Sequence, residues 1–188
     1  MNTNFLGGPV RRLVTVDDRQ GRSWALSDGV VDSVGVDPAR PGFSSVQVWQ
    51  TECTPATAVI PSSLDVSHRL TPAQGGSICR IVTVPPDTAW NSGITPDQVQ
   101  AYFASVGAAG AWRHDPSAPH AYMQQTQTMD FCVVLKGEVT LILDTSQVAL
   151  CAGDTVVQRG TRHAWSNRSA VAAVIAISSH DASPHQSE

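Results

Sequence analysis

The chain has 188 residues, of which 41% are hydrophobic and 15% charged, so it is long enough to bury one sizeable core but short for two. Its net charge of −4 and the lack of any run of Lys or Arg argue against nucleic acid and membrane surfaces as partners. The sequence shows no apolar stretch of about eighteen residues and no basic segment followed by an apolar run near its start. We therefore expect a cytoplasmic protein.

The first half of the chain contains short strand-like segments. Residues 11–26 predict two strands around an Asp-Asp-Arg-Gln-Gly turn, and residues 44–51 alternate apolar with polar side chains. A further strand over 77–84 must end at Pro85, because proline has no N–H to donate to a strand ladder. These segments predict β structure but contain no motif that points to a function.

One helix is predicted after these strands. Thr95 is a typical N-cap, Pro96 suits the first helical position, and Gln98 completes a capping box. An apolar face follows at helical spacing: Val99, Tyr102, Phe103 and Val106. The helix is either a lid over the mouth of a barrel or packed on the outside of the barrel, and we expect the second placement.

The second half of the chain predicts an all-β fold. Six apolar strand-like runs lie between 122 and 178, separated by turn-forming residues such as Lys-Gly, Ala-Gly-Asp and Asn-Arg-Ser. Such a series is typical of a sandwich or barrel. We expect a single domain over residues 1–180, with its barrel strands within 120–178, and a flexible polar tail over 181–188.

A motif built around a histidine lies in this second half. Gly153 precedes a strand-like run, Gly160 follows the run, and His163 and Asn167 come three and seven residues after Gly160. This pattern resembles the second signature of the cupin superfamily, with Gln158 in the place where many cupins have proline. The resemblance implies a cupin double-stranded β-helix, that is, a jelly-roll barrel with one or two short helices. It also implies that His163 points into the barrel.

A second motif upstream has the spacing of the first cupin signature. Gln124 and Thr126 stand in the places of its two histidines, Asp130 in the place of its glutamate, and Gly137 in the place of its glycine. In metal-binding cupins the two histidines and the acid of the first signature, together with the histidine of the second, hold one metal ion. Of the corresponding residues here only Asp130 and His163 are good ligands, because neutral amide and hydroxyl oxygens bind divalent metals weakly. We therefore expect no metal and no other cofactor.

The resemblance implies that side chains at the former ligand positions still converge inside the barrel. The residues expected to face one common cavity are Gln124, Thr126, Asp130 and His163. Period-two alternation along the strands adds Tyr122 to the first three and Trp165 to His163.

His163 and Asp130 are the predicted catalytic pair. Imidazole exchanges protons near neutral pH, and a nearby carboxylate orients it and stabilises the imidazolium. Such a pair suits dehydration, decarboxylation, isomerisation or cyclisation, including pericyclic cyclisation. The aromatic pocket walls and the small cupins that the chain resembles favour an aromatic or polyketide-like natural-product intermediate as the substrate. The predicted function is a metal-independent lyase, isomerase or cyclase.

Six residues are predicted to bind this small-molecule substrate: Gln124, Thr126, Tyr122, Trp165, His120 and Arg80. Gln124 and Thr126 offer hydrogen bonds to a carbonyl or phenol oxygen. His114 and His120 flank a short loop before the first motif, and we expect both to be exposed, with His120 the better outside candidate for the site. Arg80 suits either an anion clamp or a surface charge.

Other interpretations stay open. A metal-dependent dioxygenase or decarboxylase would use His163, Asp130 and Gln124 as metal ligands, and a non-catalytic ligand-binding protein is compatible with the same fold. His163 also suits a purely structural role, hydrogen-bonded to Asp130 in the core. We further expect a homodimer in which residues 11–16 extend the sheet of a second copy, because an unpaired strand edge needs covering.

Overall fold

The structure is a computed structural model that describes residues 8–57 and 67–183. Within these ranges the one α-helix, α1, spans Pro96–Ser105, and single 3₁₀ turns lie at Asp87–Ala89, Asn91–Gly93 and Ala109–Ala111. None of the helices in this part of the chain has the length and apolar character of a membrane span.

Strands make up most of the regular structure. In chain order they are β1 (Arg11–Asp17), β2 (Ser23–Val30), β3 (Val34–Val36), β4 (Ser44–Thr51), β5 (Ser77–Val84), β6 (Thr128–Lys136), β7 (Glu138–Leu143), β8 (Gln147–Cys151), β9 (Thr155–Arg159), β10 (His163–Ser166) and β11 (Ala173–Asp181). One antiparallel sheet has the order β3-β4-β5-β11-β6-β9, and a second has the order β10-β7-β8. The predicted all-β fold class is confirmed, and the two sheets form a jelly roll that does not close into one continuous ring.

The core lies between these two sheets. Its apolar side chains come from both of them, for example Val82 of β5, Val134 of β6 and Ile175 of β11 from the larger sheet and Val139 of β7 from the smaller. Burial alternates along β5 and β6, as expected for strands with one face on the core and one in water. The inward faces are not uniformly apolar, since Arg80 lies on that of β5 and Asp130 on that of β6.

Two residues of the motifs, Gly137 and Asn167, hold the strands in place. Gly137, between β6 and β7, has φ +73°, and a Cβ there would lie 3.2 Å from the Ala173 backbone, so both the turn and the close approach require glycine. Asn167 is fully buried after β10. Its Nδ2 donates hydrogen bonds to the carbonyls of Val84 and Val171 at 2.9 and 2.8 Å. Asn167 thus joins the end of β10 to β5.

Helix α1 begins as predicted, because the Thr95 side chain and Gln98 form the reciprocal capping box. The expected placement of the helix on the outside of the barrel is wrong. Val99, Tyr102 and Phe103 are buried in the main core, and Tyr102 and Phe103 line a cavity between the sheets. The apolar face of the helix therefore packs against the core itself, where its aromatic side chains are removed from water.

The N-terminal strands form a hairpin of their own. β1 pairs with β2 through residues 11–17 and 23–30, in agreement with the two strands and turn predicted there. Leu13, Trp24 and Val30 of this hairpin are each half or more exposed. The homodimer expected through this segment stays a prediction.

The C-terminal strand runs slightly past the predicted end of the domain. The Asp181 N–H donates to the Gly76 carbonyl at 3.0 Å, and the Asp181 carboxylate accepts from Gly75 N at 2.7 Å. Of the tail predicted over 181–188, residues 184–188 lie outside the described residues.

Candidate active site

A small cavity of about 60 Å³ lies between the sheets, under α1. Its apolar walls include Phe43, Tyr102, Phe103 and Trp165. The polar and charged side chains that line it are Arg40, Ser45, Arg80, Tyr122, Gln124, Asp130 and His163. The structure therefore brings together the two predicted catalytic residues and four of the six predicted substrate-binding residues.

His163 is the first residue of β10 and is almost completely buried. Its backbone exchanges two hydrogen bonds with Gln124, at 2.8 and 2.9 Å, which places the two side chains next to each other. The imidazole Nδ1 lies 2.9 Å from the Thr161 carbonyl oxygen. Because a carbonyl only accepts, we assign the ring proton to Nδ1; the Gln158 amide nitrogen, 3.0 Å from Nδ1, then donates to the same carbonyl.

The other ring nitrogen of His163 is the one available for chemistry. Nε2 lies 3.5 Å from the side-chain nitrogen of Gln124, and with the proton on Nδ1 it carries a lone pair. Burial lowers the pKa of His163, and the positive charge of Arg80 lowers it further, while the Thr161 carbonyl and Asp130 partly oppose these effects. His163 is thus a neutral base at neutral pH.

Asp130 lies on β6, and its side chain is buried in the same cavity wall. No hydrogen bond or ion pair joins it to His163 among the contacts of the described residues. The expectation that Asp130 orients the imidazole is therefore wrong: the Thr161 carbonyl does so, because it reaches Nδ1 from two residues away. Asp130 acts on His163 only as a nearby negative charge, and its Oδ1 has no hydrogen-bond partner.

Arg80 enters the cavity from β5 and is buried, so the alternative of a surface charge is excluded. One terminal nitrogen donates to Ser179 Oγ at 3.0 Å, whereas Nε is buried without a partner. Burial lowers the pKa of Arg80 and Asp130 raises it, but a guanidinium remains protonated in proteins. The cavity thus contains a permanent positive charge with one free donor.

Sequence reasoning missed a second buried arginine. Arg40 Nε donates to Asp37 Oδ2 at 2.8 Å, and the Tyr122 hydroxyl donates to the same oxygen at 2.6 Å. The Arg40 guanidinium also lies 3.7 Å from the Tyr122 ring centre and 3.8 Å from that of Phe43. Arg40 follows a Pro-Ala pair in a loop, and nothing in the local pattern separates it from a solvated loop arginine. Only the fold brings Arg40 to Tyr122, since the two are far apart in sequence.

Of two further residues predicted to face the cavity, Trp165 does so and Thr126 does not. Trp165 lines the cavity, with its ring centre 6.2 Å from that of His163. Thr126 does not line the cavity. It bonds Thr128 Oγ1 at 2.7 Å and faces an outer groove. The reason is that β6 begins only at Thr128. The strand alternation predicted from residue 122 onward therefore does not include Thr126.

His120 is also outside the cavity lining. We expected it to be exposed, but it is half-buried. Its ring packs on Trp90 and Tyr122, and its Nδ1 accepts from Tyr122 N at 3.1 Å. Burial lowers the pKa of His120 to about 4. Its neighbour in the loop, His114, is exposed as predicted.

The residues at the former ligand positions do not fit a metal ion. His163 and Asp130 are the only good metal donors that line the cavity, and the guanidinium of Arg80 beside them repels a cation. No group of three or more His, Cys, Asp or Glu side chains in the described ranges has the arrangement of a metal site.

The fold and the cavity together define a jelly roll with a small polar site between its sheets. No family model matches the chain. Two curated proteins of Diaporthe leptostromiformis, Phomopsin biosynthesis cluster proteins C′ and D, are each 48% identical to it over 48 residues. This match spans 25% of the chain and 25% of each relative.

Solved structures with a similar fold include cupin proteins. A putative ethanolamine utilization protein q from Salmonella typhimurium has a TM-score of 0.44 at 11% identity, over 94% of this chain and 100% of the other. The Schizosaccharomyces pombe Cnp3 cupin domain has a TM-score of 0.42 at 8% identity, over 91% and 87%. A Cupin 2 conserved barrel domain protein from Salinispora arenicola has a TM-score of 0.38 at 12% identity, over 74% and 76%.

Proposed function

We propose that the chain is a metal-independent enzyme of the lyase, isomerase or cyclase type that acts on a small-molecule intermediate of secondary metabolism. The observation that carries the proposal is the position of the His163 imidazole, which is buried at the cavity wall with Nδ1 2.9 Å from the Thr161 carbonyl oxygen and Nε2 3.5 Å from the Gln124 side-chain nitrogen. A buried base that is held in one orientation is suited to proton transfer.

The proposed step starts with Nε2 of His163. It takes a proton from a carbon or hydroxyl of the substrate, and the imidazolium keeps its hydrogen bond from Nδ1 to Thr161. The negative charge of Asp130 stabilises the imidazolium at a distance. His163 then returns the proton to another atom of the substrate or to a leaving hydroxyl, which gives an isomerisation, a dehydration or a ring closure without any redox change.

Charge that develops on the substrate oxygen has donors close by. Arg80 supplies a permanent positive charge with a free Nε–H, and Gln124 supplies an amide N–H₂ next to His163. Burial and the neighbouring Asp37 raise the pKa of Tyr122, so its hydroxyl stays neutral, but its proton is donated to Asp37 and is not available to the substrate. Fixed donors in a water-poor cavity stabilise an oxyanion more than the same donors in water.

The size of the cavity limits which part of a substrate enters it. About 60 Å³ is less than the roughly 150 Å³ cavity that holds a benzene ring. An aromatic or polyketide-like intermediate, the class we predicted, therefore places only its reacting polar group in the cavity unless α1 moves away with Tyr102 and Phe103. The local similarity to two biosynthesis cluster proteins supports a role in secondary metabolism.

The test begins in the source organism. Deleting the gene is expected to cause one intermediate to accumulate, visible by mass spectrometry of metabolites, and the purified chain is expected to convert this intermediate in the presence of EDTA. Activity that EDTA abolishes and a divalent metal restores would overturn the metal-independent mechanism. An unchanged metabolite profile together with no conversion would overturn the enzymatic proposal.

One observation favours a second candidate, a non-catalytic binding protein. Asp130 and His163 are not in contact, so the site lacks the hydrogen-bonded acid–base pair that many enzymes use. If the accumulated intermediate binds to the purified chain and is recovered unchanged after long incubation, this candidate replaces the enzyme.

A further inference from the structure

Unpartnered polar atoms are concentrated at the cavity. Seven buried side-chain nitrogen or oxygen atoms of the described residues lack a hydrogen-bond partner. Three of them, Ser45 Oγ, Arg80 Nε and Asp130 Oδ1, belong to residues that line this one small cavity. Buried polar groups in folded proteins are normally paired, and each unpaired one destabilises the fold. Three around one space therefore point to a ligand that pairs with them.

The chemistry of these atoms defines the ligand. Arg80 Nε–H is a donor and needs an acceptor, whereas Asp130 Oδ1 accepts and needs a donor. Ser45 Oγ serves either role. We infer that the cavity binds the carboxylate of a hydroxy acid group, with the carboxylate on Arg80 and the hydroxyl donating to Asp130. This inference rests on the proposed function in that it names the part of the substrate that the catalytic cavity holds.

Charge favours this assignment over a plain carboxylate. The charged residues that line the cavity are Arg40, Arg80 and Asp130, and Arg40 is already paired with Asp37 behind it. A ligand carboxylate is attracted by Arg80 but repelled by Asp130. A hydroxyl between the ligand carboxylate and Asp130 replaces that repulsion with a hydrogen bond to a charged group, which is stronger than one between neutral groups.

The size of the cavity also favours a hydroxy acid group. The cavity is too small for an aromatic ring, but its volume exceeds the 10–15 Å³, approximately, that a single water molecule needs. A two-carbon hydroxy acid has five non-hydrogen atoms and is in the range that such a space holds. Its remaining substituents extend toward the side covered by Tyr102 and Phe103 of α1.

The test uses the full chain and three small probes: glycolate, acetate and glycolamide. Glycolate has both the carboxylate and the hydroxyl, acetate lacks the hydroxyl, and glycolamide lacks the charge. Isothermal titration calorimetry is expected to give the tightest binding for glycolate, about tenfold or more weaker binding for acetate, and the weakest for glycolamide. Equal affinities for all three, or no binding of glycolate, would overturn the inference and indicate that ordered water satisfies these atoms.

Two variants add to the test. Arg80→Met removes the donor and is expected to weaken glycolate binding about tenfold or more, whereas Arg113→Met, an exposed arginine of the outer groove, leaves it unchanged. Asp130→Asn keeps the shape but removes the charge, and is expected to reduce the preference for glycolate over acetate. Glycolate affinity that is unchanged in both cavity variants would contradict the inference, and the probe series on the unmodified chain decides if Arg80→Met does not fold.

A variant of the base separates hydroxy acid binding from catalysis. His163→Gln is expected to lower turnover of the accumulated intermediate by about 10²- to 10⁴-fold while glycolate still binds. Glycolate binding by a chain without turnover contradicts only the enzyme. Turnover by an unmodified chain that binds none of the three probes contradicts only the hydroxy acid assignment.

Discussion

The molecule has two concave regions that differ in size and in kind. The outer groove encloses about 1510 Å³ and is lined by exposed residues such as Arg113 and Arg159. Arg162, which also lines it, is paired with Asp115 and Asp144 at 3.0 Å each. The inner cavity is about 60 Å³, and it contains buried charges with unpaired atoms. Water screens the charges of the groove, whereas the buried charges of the cavity are screened much less. Burial, rather than volume, therefore decides how strongly polar side chains act on a bound molecule.

The largest expected difference between the inner cavity and the outer groove is in turnover. His163→Gln removes the base of the inner cavity and is expected to lower kcat for the accumulated intermediate by about 10²- to 10⁴-fold. A steady-state assay of purified variants measures this loss. The matched change in the groove, Arg162→Gln, is expected to leave kcat unaltered, and a large loss there would mean that the groove is the reaction site.

The second effect is on stability. Asp37 is buried and bonds both Arg40 and Tyr122, so Asp37→Ala leaves a buried guanidinium without its counter-charge and is expected to cost about 3–5 kcal/mol of unfolding free energy. Urea denaturation followed by tryptophan fluorescence measures it. Asp28→Ala breaks an exposed ion pair with Arg11 and is expected to change little. Equal losses in the two variants would remove the distinction between inside and outside.

The third effect is on the pH dependence of stability. The folded pKa of His120 lies near 4, below the ordinary 6.5, so the unfolded chain binds the proton more readily between these values. The stabilising effect of the neutral ring is complete above pH 6.5 and is lost as pH falls toward 4, by up to about 3 kcal/mol. His68 and His163 also have lowered pKa values, so His120→Gln is expected to make the decline seen by thermal unfolding shallower, whereas exposed His114→Gln is expected to leave its slope unchanged.

Much of the fold was predictable because its signals are local. The capping box of Thr95 and Gln98, the alternation along β6 and the turn at Gly137 each depend on residues a few positions apart. Gln124, Asp130 and His163 were also placed correctly in one cavity, because the resemblance to the cupin motifs carries long-range information that no local pattern contains.

What the sequence did not predict depends on contacts between distant segments. Arg40 reaches the cavity only because the fold brings its loop against Tyr122. Thr126 leaves the strand face because the backbone of Gln124 pairs with His163 before β6 begins. Period-two alternation could not predict this pairing, because it assumes that one strand runs through residues 122–130. The partner of His163 was misassigned for a related reason, since the carbonyl of Thr161 has no sequence signature.

The smallest expected effect belongs to the groove itself. Arg113→Gln and Arg159→Gln remove exposed charges and are expected to leave both the urea midpoint and kcat within experimental error, because exposed side chains make weak contributions to stability. A marked change in either quantity would show that the groove contributes to the fold or to the reaction.

The state of His163 is the central claim, and nuclear magnetic resonance tests it without a substrate. Long-range ¹H–¹⁵N spectra of the histidine rings, assigned by comparison with His163→Gln, distinguish the two tautomers from the imidazolium. The predicted result at pH 7 is a neutral ring that is protonated on Nδ1 and unprotonated on Nε2. A charged ring, or a proton on Nε2, would contradict the proposed base.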